Sequence, residues 1–536
     1  MHPPHRAVGR RRRAALRNAS TLAIASLAGG AFADSLPPLS PGLAASLPNQ
    51  SAQTQATGAV PADPSSLLNP APFALPQLAM PQFRADASAP PGAAKSPGPW
   101  GVLSGDWQNA NLLGDMGGLR PALDKYGVQL TILENVETFG NVSGGVKQGF
   151  ETDGLTTVTL QMDTEKAFGL KGGTLNVSGL QYWGGNLSAD NLLVLQTLTD
   201  IEAPVGILLW ELWYQQKFGD KFDVKIGEQS LDQEFIISPT GNSLFINGVS
   251  GFPALPAIDL PAGGAEYPLA GLGVRGRAQL SDSVTALAAV VNGSPIPRDS
   301  PNTPASNPNG VSFPLDVGTF AIAELQYAFG AGAQGKANAN APLPGVYKIG
   351  AWYDSYKFDD LQTDTIGLPL ASPLSDGSPA PHHGNFSLYG VADQMIWRSK
   401  DDTSRTLNVF VRPMFTPYQD RNLVSASINA GLGLKAPLPG RDSDVFGVEM
   451  GTAWASSGAS SFDREMQFFQ PSVYTPIRGS ETFLEATYQF QVLPSWQIQP
   501  DVQYFINPGL GIANPDKPTQ RIKNEFVVGL RTNVNF

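Results

Sequence analysis

Along the last thirteen residues, Asn524 to Phe536, apolar and polar side chains take turns. Phe526, Val528, Leu530, Thr532, Val534 and Phe536 fall on one side and are nearly all apolar. Glu525, Val527, Gly529, Arg531, Asn533 and Asn535 fall on the other and are mostly polar. A period of two is that of a β-strand with one greasy face and one wet face. The preceding segment repeats it, with Trp496, Ile498, Pro500, Val502, Tyr504 and Ile506 against Gln497, Gln499, Asp501 and Gln503. The same reading predicts 16 strands, at 128–139, 155–163, 173–182, 207–218, 222–228, 271–280, 284–292, 319–329, 345–356, 387–397, 405–413, 423–436, 443–455, 481–492, 496–506 and 524–536.

The connections are sorted by length. Short links follow even-numbered strands (219–221, 281–283, 493–495), and long ones follow odd-numbered strands (183–206, 229–270, 293–318, 357–386, 456–480); link 330–344 is longer than the rule. An outer-membrane barrel shows this asymmetry, with short turns in the periplasm, and a soluble sandwich has no cause for it. No segment offers the ~18 consecutive apolar residues of a spanning helix, so membrane insertion falls to strands. The fold expected is all-β, a 16-stranded antiparallel transmembrane barrel over 128–536. A short helical plug segment precedes it at 107–127, where Leu112, Leu119, Leu123 and Tyr126 recur at helical spacing and Asp115 is placed to cap.

Composition narrows the class. Of 536 residues, 15% are charged and 42% hydrophobic, too few apolar for a helical membrane protein, and the absence of cysteine removes disulfides, thiolate metal sites and cysteine nucleophiles. At the front, Arg6, Arg10, Arg11, Arg12, Arg13 and Arg17 precede a short apolar run, Leu22 to Phe32, and an Ala31-Phe32-Ala33 cleavage pattern. That pattern predicts a signal peptide, 1–33. Its loss takes 35 basic residues to 29 against 46 acids, from −11 to −17, which disfavours nucleic acid as a partner. Residues 34–106 read as a proline-rich periplasmic tail, with 14 prolines between Asp34 and Pro99.

Alternation also sorts the charges. Arg275, Arg277 and Gln279 face inward against Leu272, Val274, Ala278 and Leu280. Glu324 and Gln326 oppose Ala323, Leu325 and Tyr327, and Glu481 and Glu485 oppose Leu484 and Ala486. An Arg on the lipid face at mid-depth costs about 2–4 kcal/mol, so these charges belong in a wet lumen. Each has two readings of equal weight, lining the bore or bracing its wall.

Several motifs resemble the carbohydrate-selective porin family (OprB-type). Leu113-Gly114-Asp115-Met116-Gly117-Gly118-Leu119-Arg120 is similar to its N-terminal motif, with Met116 where the family has an aromatic. Ile226-Gly227-Glu228-Gln229, Glu234-Phe235, Asn247, Tyr267-Pro268 and Leu272-Gly273-Val274-Arg275 follow in order. Glu481, Glu485, Tyr488, Trp496, Gln499-Pro500-Asp501, Gln503-Tyr504 and Asn507-Pro508 resemble the closing hairpin. The resemblance spans 107–536 and implies passive diffusion of small sugars and polyols through a barrel narrowed by inward-folded loops. Sugar hydroxyls donate and accept hydrogen bonds, which suits a lumen mixing Arg with Glu or Gln. The substrate-binding residues expected are Arg275, Arg277, Glu324, Glu481, Glu485 and Arg120, with Trp183, Tyr182 and Trp352 as rings for a pyranose face. For any one of those rings, an interface anchor is the commoner role. The partners expected are sugars, outer-membrane lipid and the barrel-assembly machinery through Phe536; monomer and homo-oligomer are both open.

Other chemistries fit less well. Gly330 to Gly335 matches G-x-G-x-x-G, yet Lys336 to Pro342 offers no helix to hold a phosphate. His382 and His383 stand side by side in link 357–386 with no spaced partner, which reads as a solvated loop pair and not a metal site. Glu481 and Glu485 lie about 13 Å apart on one strand, too far to flank a glycosidic bond. A barrel hydrolase would have that histidine pair alone, and a loop-based adhesin rests on loop length alone. No cofactor or enzymatic activity is expected.

Overall fold

A computed structural model describes residues 100–330 and 342–536. The expected signal peptide, the tail as far as residue 99 and all but the first residue of Gly330–Gly335 lie outside them. The strands are β1 (Val128–Ser143), β2 (Gly149–Asp163), β3 (Gly173–Gly184), β4 (Gly206–Phe218), β5 (Phe222–Gln229), β6 (Gly271–Gln279), β7 (Val284–Asn292), β8 (Thr319–Phe329), β9 (Gly345–Asp364), β10 (Pro379–Arg398), β11 (Thr406–Phe415), β12 (Val424–Lys435), β13 (Val445–Ala455), β14 (Ser480–Leu493), β15 (Trp496–Ile506), β16 (Ala513–Asn514), β17 (Lys517–Arg521) and β18 (Glu525–Asn535). All but β16 and β17, a small hairpin in the last loop, form one closed antiparallel barrel of 16 strands in which β1 pairs β18. Closure leaves no edge, so every backbone group in the wall is met by a neighbour, as lipid requires. No helix of the described residues is long and apolar enough to cross a membrane.

The period-two pattern places the side chains as expected on the outside. Leu325, Tyr327, Leu484, Phe526 and Leu530 are exposed there. The inside departs from a simple polar bore. Phe139, Leu155, Leu180, Trp210, Phe483, Phe505 and Val527 sit among the inward positions and are buried in one large apolar cluster with loop residues such as Leu198, Ile246 and Leu255. A 16-stranded barrel is wide enough for a water-filled channel. Here part of that width holds packed chain.

Short helices mark the connections: α1 (Leu119–Asp124), α2 (Thr164–Phe168), α3 (Pro239–Leu244), α4 (Gly248–Gly251), α5 (Ala254–Asp259), α6 (Ser457–Phe469) and α7 (Pro508–Gly511). The helical segment expected within 107–127 is reduced to α1. Ahead of it Gly114, Met116, Gly117 and Gly118 all have positive φ, a conformation that ends any helix and favours glycine. At Gly117 a Cβ would come 2.7 Å from the Trp100 ring. Arg120 bonds to the carbonyls of Gly114 and Phe536, while the Leu112 N–H donates to the Asn535 carbonyl at 2.7 Å. The segment is thereby fastened to the β1–β18 seam.

Link 357–386 was expected to be a loop and is mostly ladder. β9 and β10 run on to Asp364 and back from Pro379. A bulge after His383 shifts the register, and Gly384 in it has φ +87°, where a Cβ would come 2.7 Å from the Tyr353 hydroxyl. The two histidines therefore lie on a strand and face opposite ways: His383 is exposed, and His382 is half-buried with Nε2 2.7 Å from Asp360 Oδ2. The reading of a solvated pair fails for His382.

The outer face gives a stability test. Leu484→Arg puts a cation among lipid-facing neighbours and should destabilise the barrel by about 2–4 kcal/mol in reversible unfolding from vesicles. An unchanged midpoint would place this face away from lipid.

Candidate functional site

Loops 185–205 and 230–270 turn into the barrel, and the start of loop 507–524, Pro508–Gly511, is buried beside them. Residues 191–202 and 244–257 are nearly all buried. Chain that leaves water this way needs partners for its N–H and C=O groups. The wall supplies them, chiefly with carboxylates.

Glu481 on β14 accepts from the Leu195 N–H at 3.0 Å, the Gln196 N–H at 2.7 Å and the Gly509 N–H at 2.6 Å, so one side chain ties two loops. Glu485, two inward positions further from the loops' rim, accepts from the Ile246 and Asn247 N–H groups at 2.8 and 3.0 Å. Glu324 on β8 accepts from the Ile236 N–H at 2.8 Å and the Tyr389 hydroxyl at 3.0 Å, with Lys348 Nζ 3.6 Å away. Asp393 on β10 takes the Ser238 hydroxyl and the Thr240 N–H, both at 2.7 Å. Loop carbonyls meet Arg412 on β11, which donates to Ile236 at 3.0 Å, Val249 at 2.6 Å and Ser250 at 2.9 Å. Gln499 and Gln503 donate to the Leu244 and Leu198 carbonyls at 2.7 and 2.8 Å. Hydrogen bonds to charged groups are each worth about 1.5–3 kcal/mol net, more than neutral ones.

Nearer the short turns, four charges form a compact knot. Arg275 pairs with Asp223 and with Glu234, whose Oε1 lies 3.0 Å from its Nη2, while Lys225 bonds to Glu234 and stands 4.4 Å over the Trp213 ring. Burial alone would raise the Glu234 carboxyl, but Lys225 and Arg275 outweigh it and hold the group down at about 2. Arg531 on β18 pairs likewise with Glu137 and with Asp200, the latter at 2.7 Å.

The residues singled out from the sequence thus divide. Glu324, Glu481, Glu485 and Arg275 are buried against loops or partners. Arg120 lies at the seam. Arg277 faces inward and is exposed, as are Gln129 and Lys217, with Gln215, Gln279 and Gln326 half-exposed on the same inner face. Trp183 is displaced from the expected role: β3 continues to Gly184, so Trp183 shares the outer face with Leu175 and Val177 and packs over Gly154. Tyr182 and Trp352 do face inward, but both are buried, Tyr182 5.9 Å from Tyr267 and Trp352 5.8 Å from Phe320 between ring centroids. Arg412, Asp393 and the Lys225–Glu234 pair were missed. For Arg412 the signal was present, a lone cation at an inward position of an apolar strand.

A closed 16-stranded wall, an apolar exterior, loops sorted by length and chain folded into the bore define an outer-membrane porin. The chain matches the carbohydrate-selective porin, OprB family over residues 147–536 and belongs to that family. The Gly114–Arg120 motif lies ahead of the matched stretch. Porin B of Pseudomonas aeruginosa is 24% identical over 446 residues, covering 79% of this chain and 91% of that protein. A putative porin of Acinetobacter baylyi, QuiX, is 23% identical over 446 residues, 79% of this chain and 93% of its own. The high-pH structure of Pseudomonas putida OprB superposes with a TM-score of 0.68 at 20% identity, over 80% of this chain and 99% of the other. This protein is accordingly a carbohydrate porin of a Gram-negative outer membrane.

Two outcomes follow from the braces. Glu481→Ala leaves three buried N–H groups unmet, at about 1–3 kcal/mol each. Thermolysin should then cut within 185–205 in the folded barrel, and single-channel conductance should rise. For Glu234 the folded value lies below the ordinary ~4.3, so its contribution is complete above that pH and is lost as pH falls through about 2. Proteolysis of loop 230–270 in folded protein should stay unchanged down to about pH 4 and, in Glu234→Gln, should no longer show an acid-dependent step.

Proposed function

We propose that this porin passes mono- and small oligosaccharides and polyols down their gradient, without chemistry, along an inner face whose exposed side chains include amides and cations. The observation that carries this reading is the sorting of inward groups. Glu324, Glu481 and Glu485 are spent on loop backbone, while Arg277, Lys217 and Gln129 stay exposed with Gln215, Gln279 and Gln326 beside them. An amide offers both donors and an acceptor, and a guanidinium offers a fork of donors, so neutral hydroxyls find partners in several orientations. Such contacts are many and individually weak, which is what conduction needs. Arg277 is the substrate contact favoured on this ground. Glu324, Glu481, Glu485 and Arg275 act on sugar indirectly, by setting where the loops stand, and Arg120 by holding the N-terminal segment at the seam.

The family name supports sugars as solutes. Phe536 ends the outer apolar row of the closing strand, which supports its use as a handle for the assembly machinery. Oligomeric state is left to measurement.

Liposome swelling tests the reading. Glucose should enter faster than an amino acid of similar size, and Arg277→Ala should slow it about fivefold, the worth of one hydrogen bond of about 1 kcal/mol. Equal entry of the two solutes would remove the sugar preference. Release of product from a lipid or peptide, abolished by His383→Ala, would instead make it a hydrolase.

A further inference from the structure

The histidine pair is a sequence feature that transport does not use, and the fold gives half of it company. His382 on β10 has Nε2 2.7 Å from Asp360 Oδ2 on β9 and 3.6 Å from Asp420 Oδ2 in the β11–β12 loop. One donor atom from each of the three residues lies within 4.8 Å of the other two. The arrangement is held from outside the trio. Asp360 Oδ1 accepts from the Gln362 and Thr363 N–H groups, both at 2.7 Å, which leaves Oδ2 turned to the imidazole. The Asp420 carbonyl accepts from the Leu361 N–H at 2.7 Å, which fixes the loop against the hairpin. Arg421 lies on the Asp420 carboxylate at 2.8 and 3.1 Å and offsets part of its charge.

We propose that Asp360, His382 and Asp420 form a binding site for a divalent cation of borderline hardness, zinc before magnesium or calcium. The donor set decides the class: one imidazole nitrogen with two carboxylate oxygens suits zinc, nickel or copper, whereas magnesium and calcium are held by oxygen alone. The spacing agrees. A tetrahedral zinc with bonds of about 2.0–2.1 Å sets its ligand atoms about 3.3 Å apart, and the separations of 2.7 and 3.6 Å from the imidazole bracket that figure. Water takes the fourth position. Two carboxylates, one of them shared with Arg421, offset part of the cation's charge, and the side chains come from segments up to sixty residues apart, so an ion there clamps the β9–β10 hairpin to the loop beside it. His383, on the opposite face of the strand, takes no part.

The test uses the full chain in detergent and cobalt(II) as the probe, read by its visible absorption, with zinc as competitor. One saturable site per chain is expected, with a tetrahedral-type band that zinc removes. His382→Ala and Asp420→Asn should weaken it by at least the ~100-fold that losing even an outer-shell partner can cost, while His383→Ala leaves it unchanged. Circular dichroism and heat-modifiable gel migration check that each variant is still a barrel. Absence of a saturable band at millimolar cobalt would reduce the trio to an ordinary His–Asp ion pair and overturn the proposal. So would a band that His382→Ala leaves intact, since the cobalt would then sit on other carboxylates.

Discussion

An amide N–H that leaves water for the inside of a barrel has to find an acceptor, and the placing of wall carboxylates opposite loop backbone is what the interior of this porin rests on. Lost acceptors inside would cost about as much per group as a lost methyl-rich contact in a core. Glu481, Glu485, Glu324 and Asp393 each meet backbone or hydroxyl donors of an incoming loop. Arg412 does the complementary work for carbonyls. The bonds set direction, and the apolar cluster of Phe139, Phe483, Phe505 and Val527 with loop leucines and isoleucines supplies burial. The bore is thus shaped by a small internal core of the kind found in soluble proteins, enclosed by a wall whose outer side is apolar too.

This division of labour explains how a chain with many more acids than bases presents exposed cations and amides to a solute. Glu324, Glu481, Glu485 and Asp393 are occupied. A carboxylate engaged by two or three N–H groups has few lone pairs left for a sugar and is held in one orientation. Arg277 and Lys217, exposed at inward positions nearer the short turns, keep their reach. Selectivity for neutral hydroxylated solutes then comes from geometry and hydrogen-bond capacity more than from net charge.

How far the sequence alone carries follows from which contacts are local. Strand existence and facing came from side-chain parity, a property of adjacent residues, and so β8 and β15 coincide with their expected spans. Trp183 was misplaced because β3 was ended two residues early; continued, its parity puts the indole outside. The β9–β10 extension was hidden by a bulge, which breaks the alternation at Gly384. Whether an inward acid lines or braces was not legible, because the answer lies with partners such as Leu195, 286 residues from Glu481. The same holds for His382, whose companions Asp360 and Asp420 stand 22 and 38 positions away. Inward apolar residues such as Phe483 were a visible clue that something packs there, since an empty aqueous bore has no use for phenylalanine.

The hairpin has a further consequence. β8 leaves the ladder at Asp354, yet β9 continues to Asp364. Ten more residues at about 3.3 Å each give a mast of roughly 33 Å. It is braced on the way by the Leu361 bond to Asp420 and by Gln362 on Glu465 of α6, and on the long-loop side, which faces the cell's surroundings, its largely exposed tip is open to a bacteriophage fibre or an antibody. Its tip, Thr365 to Ser378, can carry a foreign epitope for surface display with the sugar path untouched.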